Sequence, residues 1–264
     1  MSKKHKEAVQ RQFTKTAEAF SKLAVRDGPE VVAEKVEFAR PQSTDLALDV
    51  ACGSGAFILA LARRVRLARG IDLTAEMLRQ ARQSQQEQQI TNVCFERGEA
   101  EQLPYPNAAF DLVSCQLSFH HMPRPELALK ELVRVMKPEG RMLIIDSLGP
   151  ESDEKFELHN RIENLRDPSH TLSLRLTTFL RLFEEQGLDI LRQSIKRRPR
   201  SFNHWMRRGG LEPRHKRYQE TRRRLEESLP GDRAGLSAQP DGDDLLIVHH
   251  EGMFLLARKE SPCE

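Results

Sequence analysis

Short apolar runs alternate along most of this chain with stretches whose apolar residues recur every three or four positions, the pattern of strands that hand over to crossover helices. Residues 46–50 (LALDV) make the first apolar run. A glycine-containing loop at 52–55 follows, and then the helical pattern AFILALA. Further strands are predicted at 65–73, 92–98, 110–114, 141–146, 188–195 and 245–258. Between them Thr74 is placed to cap a helix to about residue 88, with Met77, Leu78 and Ala81 on its apolar side. Another helix opens at Pro125, buries Leu127, Leu132, Val133 and Met136, and is closed by Pro138 and Gly140; a third covers 172–185. Ahead of the first strand, residues 9–23 carry Val9, Phe13, Ala17, Phe20 and Leu23 on roughly one helical face, and 31–38 carry a second apolar face.

The turn after the first strand is where chemistry is expected. Gly53 and Gly55 allow positive φ and let the backbone approach a ligand, while the following helix aims its unpaired N–H groups at the same place. The second strand ends at Asp72. In a doubly wound sheet that strand lies beside the first, so the Asp72 carboxylate can accept both hydroxyls of a ribose. An adenosine-containing cofactor follows, either NAD or S-adenosylmethionine. The dinucleotide fingerprint G-x-G-x-x-G fits badly: read from Gly53 it puts Ile58 at the third position, and read from Ala51 it loses the first glycine.

Five stretches taken in order carry a more specific signal: LALDVACGSGAF, GIDLTAEML, ERGEAEQLPYPNAAFDLV, SCQLSFHHMPRPELALKELVRVMKPEGRMLIID and TLSLRLTTFLRLFEEQGLDIL. Over roughly residues 40–195 the chain resembles the class I S-adenosylmethionine-dependent methyltransferases, in particular the small-molecule group that includes the ubiquinone/menaquinone C-methyltransferases. The resemblance implies an α/β fold with a seven-stranded, doubly wound, Rossmann-like sheet. Its last strand would run antiparallel between the fifth and sixth, and a helical lid would precede the core. It implies S-adenosylmethionine contacts at Asp49, Ala51, Gly53, Gly55 and Asp72, adenine neighbours at Leu73 and Met77, and adenine hydrogen bonds at Glu99 and Ala100, where Glu99 stands in for the usual Asp. Gln116 would meet the methionine part, and Phe13 and Phe20 are candidate walls. It places His121 near the transferred methyl, so His121 is the first candidate base and His170, by position, the second. No metal is implied, since only Asp146 falls at a suitable strand end. Ser114-Cys115-Gln116-Leu117 is unlike the Asn/Asp-Pro-Pro-aromatic motif of enzymes that methylate amines of DNA bases.

Composition then narrows the setting. No apolar stretch approaches a membrane span, the basic start has no apolar segment behind it, and cysteines at 52, 94, 115 and 263 show neither metal nor disulfide spacing; a reducing cytoplasm is expected. Charge is uneven. Residues 192–224 hold thirteen Lys or Arg against Glu212 and Glu220, in a chain of net charge +3. With Phe202, Trp205 and Tyr218 interleaved, this stretch could be a solvated insertion with a helix at 216–229, a dock for an anionic small-molecule acceptor, a surface for RNA or another polyanion, or a contact with an acidic membrane. Residues 151–172 offer Phe156, His159, Arg161, Asn164, Asp167 and His170 to a pocket, and 237–244 reads as a flexible loop. The expected organisation is one methyltransferase domain over 1–264: lid 1–40, cofactor core 41–195, basic insertion 196–243 and last strand 244–260. The expected activity is methyl transfer to O, N or C of a small acceptor. The alternatives are transfer to RNA or another polyanion, a non-catalytic S-adenosylmethionine-binding protein, and an NAD(P)-dependent oxidoreductase.

Overall fold

A computed structural model describes the backbone of residues 1–24 and 28–258 and the side chains of 1–18 and 28–258. The Phe20 and Leu23 side chains and residues 259–260 therefore lie outside the described residues. The strands are β1 (Leu46–Val50), β2 (Leu67–Asp72), β3 (Val93–Arg97), β4 (Phe110–Gln116), β5 (Met136–Leu148), β6 (Leu188–Ser201), β7 (Gln239–Asp241) and β8 (Asp244–Arg258). They form one sheet in the order β3-β2-β1-β4-β5-β8-β6, with the short β7 added against β8. β1 to β5 are parallel, and β8 runs antiparallel to both β5 and β6. The doubly wound fold with an inserted antiparallel last strand is as expected from the resemblance.

Both faces of the sheet are buried, which is why its strands read as nearly continuous apolar runs. Leu48, Val50, Met142, Ile144, Phe254 and Leu256 point into one core with α5 (Pro125–Val135) and α7 (Leu176–Glu185). Their neighbours Ala47, Leu143, Ile145, Met253 and Leu255 point into the other, against α2 (Pro29–Ala39), α3 (Ala56–Ala62) and α4 (Ala75–Glu87). The long helix α1 (Lys3–Ala24) lies over the carboxyl ends of the strands and packs on α4.

Several elements differ from expectation. β5 begins at Met136, because the helix from Pro125 already ends at Val135 and Pro138 is taken up beside a register shift in the β4–β5 ladder. β6 continues to Ser201, so residues 196–201 belong to the sheet and not to the insertion; β6 is an edge strand, where a proline such as Pro199 is tolerated. Residues 239–241, expected in a flexible loop, form β7, the outer arm of a hairpin with β8. Residues 153–166, with no element assigned in advance, are the helix α6 (Asp153–Arg166).

What remains of the insertion is a small lobe. α8 (Phe202–Arg208) and α9 (Lys216–Ser228) pack with α6 and the start of β8 around Ile162, Phe202, Trp205, Met206, Tyr218, Leu225 and Ile247. The three aromatics that were candidates for stacking are thus buried core residues. Several arginines of α9 are matched along the helix: Arg222 with Glu226, Arg223 with Glu220 and Glu227, Arg224 with Glu220. Among the described residues no helix is long and apolar enough to cross a membrane.

Candidate active site

The loop after β1 is bent by left-handed backbone at Ala51, Gly53 and Gly55. It is tied to the second strand: the Asp72 carboxylate accepts from Gly53 N at 2.9 Å and from Thr74 N at 2.8 Å, and Ile71 O accepts from Cys52 N at 3.1 Å. Thr74 occupies the N-cap of α4, but it is Asp72 that bonds to Thr74, whose own side chain makes no capping bond. Burial raises the Asp72 pKa, and the backbone donors only partly offset that.

These elements enclose a cavity of about 250 Å³. Asp49, Ala51, Gly53, Asp72, Leu73, Met77, Glu99, Ala100, Gln116 and His121 all line it. Gly55 does not. At φ 85° it is the N-cap of α3, and a Cβ there would stand 3.0 Å from Ala81 Cβ and 3.3 Å from the Phe95 ring, so its hydrogen is needed for packing behind the cavity. Asp49 accepts from Ser114 Oγ at 2.6 Å. Burial, helped by the Asp72 charge and opposed by Ser114 and Lys35, pushes the Asp49 pKa up to about 7.

Glu99 lies at the cavity but ion-pairs with Lys6 of α1 at 2.5 Å. The N-terminal amine of Met1 pairs with Glu101, and Gln10 donates to Leu73 O at 3.2 Å. The first turns of α1 are thereby latched over the cavity. Gln116 Nε2 is buried and has no hydrogen-bond partner among the described residues. A largely apolar chamber closed by a lid, with carboxylates at one wall and an unsatisfied amide donor at another, fits an adenosyl amino acid with its carboxylate on the Gln116 side.

A second cavity, about 380 Å³, adjoins the first, and Phe13, Leu117, His121 and Arg208 line both. Its floor is the turn that follows β4. Leu117 takes left-handed backbone and donates to Ile145 O at 2.7 Å. Asp146, buried at the end of β5, then gathers the turn: Oδ2 accepts from Ser118 N at 3.1 Å and Phe119 N at 2.7 Å, and Oδ1 accepts from His120 Nδ1 at 2.5 Å. Burial opposes a charge on His120, but the Asp146 charge outweighs it and raises the His120 pKa.

His121 is the reverse case. Burial, reinforced by the His120 charge, lowers its pKa to about 4. Nδ1 donates to Ser169 O at 3.1 Å, so Nε2 carries the lone pair. The Phe13 ring stands edge-on to it at 4.9 Å, and His5 donates to the His121 carbonyl at 2.7 Å, so α1 covers this residue as well. His170 lines the second cavity only. It donates from Nε2 to Asn160 Oδ1 at 3.0 Å, and burial lowers its pKa to about 3.

Of the other side chains offered by 151–172, only Asp167 reaches this cavity with His170. Phe156 stacks under Arg175, His159 donates to Ala234 O, Arg161 lies in a separate cleft between α6 and α9, and Asn164 is exposed. The basic stretch does contribute. Arg197, Arg198, Arg200 and Arg208 line the cavity, with Lys35 and Arg166 from elsewhere. Sequence reasoning missed Lys35, Arg166, Glu163, His249 and Glu251. A topological signal existed for the last two: a strand inserted antiparallel brings its beginning, not its end, to the carboxyl edge of β5, and Glu251 faces Ser147 there.

Residues 48–144 match the family model described as a methyltransferase domain. The chain is 32% identical over 201 residues to the uncharacterized methyltransferase YcgJ of Bacillus subtilis, covering 75% of this chain and 78% of that one. The crystal structure of YcgJ superposes with a TM-score of 0.81 at 25% identity, over 89% of this chain and all of that one. The demethylmenaquinone methyltransferase of Deinococcus radiodurans is 37% identical over 107 residues, 40% of this chain and 44% of that protein.

Proposed function

Since the chain belongs to the S-adenosylmethionine-dependent methyltransferases, we propose that it transfers methyl to an O, N or C nucleophile of a small acceptor held in the 380 Å³ cavity, with His121 at the point of transfer. The observation that carries this reading is the shared wall: Phe13, Leu117, His121 and Arg208 face both cavities. When bound, S-adenosylmethionine supplies an electrophilic methyl on a sulfonium. The chain supplies alignment of the two molecules and exclusion of water, which is where most of the acceleration of an in-line displacement arises. α1 excludes the water, through Phe13 and the Lys6–Glu99 latch. Asp146 holds the turn that carries His121, and Ser169 O fixes its tautomer, so that Nε2 can take a proton from the nucleophile. His170 stands back from the transfer point and acts on the acceptor side. Cysteines 52, 94 and 115 are free, which supports a reducing, cytoplasmic setting.

The test is calorimetric binding of S-adenosylhomocysteine and NAD, followed by turnover with labelled S-adenosylmethionine on a small-molecule extract. Micromolar binding of the adenosyl compound, silence toward NAD, and weakening by about tenfold or more in Asp72→Ala are expected. In His121→Gln, turnover falls by about a hundredfold or more with cofactor affinity kept. In the wild type, kcat/KM falls only as pH drops toward 4, where His121 becomes protonated. NAD binding in place of the adenosyl compound, or full turnover in His121→Gln, would sink the reading.

A further inference from the structure

The acceptor cavity contains two polar groups that the folded chain leaves unserved, one a donor and one an acceptor. Arg166, at the end of α6, donates from Nε to Trp205 O at 3.1 Å, and its guanidinium carbon lies 5.2 Å from the centre of the Trp205 ring. Among the described residues it makes no other hydrogen bond and no ion pair. Glu163 and Asp167 act on it only from a distance, and burial pushes its pKa down. The second group is His249, 5% exposed, whose ring centre is 5.4 Å from that of Trp205. Its Nε2 donates to Glu163 Oε1 at 2.8 Å, and burial holds the ring neutral, with a pKa of about 4. Nδ1 is therefore a lone pair, buried and without a partner among the described residues.

Elsewhere on the wall the charges are already matched in part: Lys35 and Arg198 both pair with Glu251, and Arg198 also with Glu34. Arg197, Arg200 and Arg208 line the same cavity, so its wall as a whole favours an anion; at the Trp205 end the unmet demand is for a planar anion and a hydrogen-bond donor next to an indole ring. A guanidinium fork with both terminal nitrogens available matches a carboxylate. A buried lone pair matches a hydroxyl.

On the premise of the proposed methyl transfer, we infer that the acceptor is a hydroxylated carboxylic acid, its carboxylate on the Arg166 guanidinium, its hydroxyl on His249 Nδ1 and its body against Trp205. The acceptor cavity is then a specificity site built from α6, α8 and β8, to which the basic stretch contributes Trp205.

Trp205 is the single tryptophan of the chain, so the indole N–H resonance of 15N-labelled protein reads this cavity without reference to turnover. The probes are 3-hydroxybenzoate, benzoate, 3-hydroxybenzamide and phenyl phosphate, with S-adenosylhomocysteine binding measured by calorimetry on the same samples. 3-Hydroxybenzoate is expected to shift the resonance saturably and to bind about tenfold or more tightly than the amide. Arg166→Gln should abolish that preference and Arg166→Lys restore part of it, while His249→Phe should make 3-hydroxybenzoate and benzoate equal. Unchanged S-adenosylhomocysteine affinity in each variant shows that the fold is intact. The inference fails if the amide matches the acid, if the preference survives in Arg166→Gln, if neither acid moves the resonance at about 10 mM, or if phenyl phosphate binds more tightly than either acid. Acids that bind while S-adenosylhomocysteine does not would uphold the acid site and overturn the cofactor reading instead.

Discussion

At the scale of single residues, the cofactor cavity is held by carboxylates that cost the folded state something. Asp49 keeps its proton up to about pH 7, whereas in the unfolded chain it would lose it near 4. Between those values the folded chain binds one proton more than the unfolded chain, so stability falls as pH rises and levels off above about 7. Asp49→Asn removes that loss. Denaturant melts should show the variant more stable at pH 8, by on the order of 4 kcal/mol, and the difference should vanish near pH 4; an unchanged gap across that range would refute the assignment. Strand order singled out Asp72 for a ligand-side role, and the residue does line the cavity. The structure adds that it binds Gly53 N and Thr74 N, so it also builds the loop it faces. His121 and His170 were both placed near the acceptor by position. What one sequence could not convey is their difference in protonation from His120, because that depends on Asp146 arriving from another strand.

Among elements, the glycine turn and the lid carry the most. Gly55 was read as a ligand-side residue because a glycine two positions after Gly53 looks like part of the cradle; its actual constraint comes from α4 and β3, which no local pattern reveals. Gly55→Ala must hold a left-handed conformation and displace Ala81 or Phe95. A loss of about 2 kcal/mol is expected in a thermal melt, and a variant as stable as the wild type would show that the turn relaxes freely. The lid helix was visible in its apolar face, yet its polar grip was not. Lys6, His5 and Gln10 reach Glu99, the His121 carbonyl and the Leu73 carbonyl, partners 63 to 116 residues away in the chain. Glu99 is thus shared between the lid and the cavity it lines.

For the whole molecule, the sheet was legible because burial on both faces leaves a simple apolar signature. The lobe was not, because α6 and α9 are polar helices that bury only narrow stripes, and arginines dominated the reading of 192–224. The stripe of α9 still matters. Leu225 is fully buried in the third cluster, and Leu225→Ala should cost about 3 kcal/mol. If the lobe yields before the sheet, Trp205 fluorescence will report a transition at lower denaturant than far-ultraviolet circular dichroism does, and cofactor affinity will survive it. Coincident transitions would show one cooperative unit instead.

The position of β8 between β5 and β6 has a consequence for how the molecule comes into being. A strand translated after every other strand of the sheet has to enter its interior, so until residues 244–258 leave the ribosome β5 carries a bare edge and β6 has nothing to join. Apart from α1 and Arg208, the first cavity draws its lining from segments at or just after β1 to β4, which can assemble during synthesis. The second cavity waits for His249 and Glu251. A nascent chain can therefore form most of one cavity before the wall of the other exists.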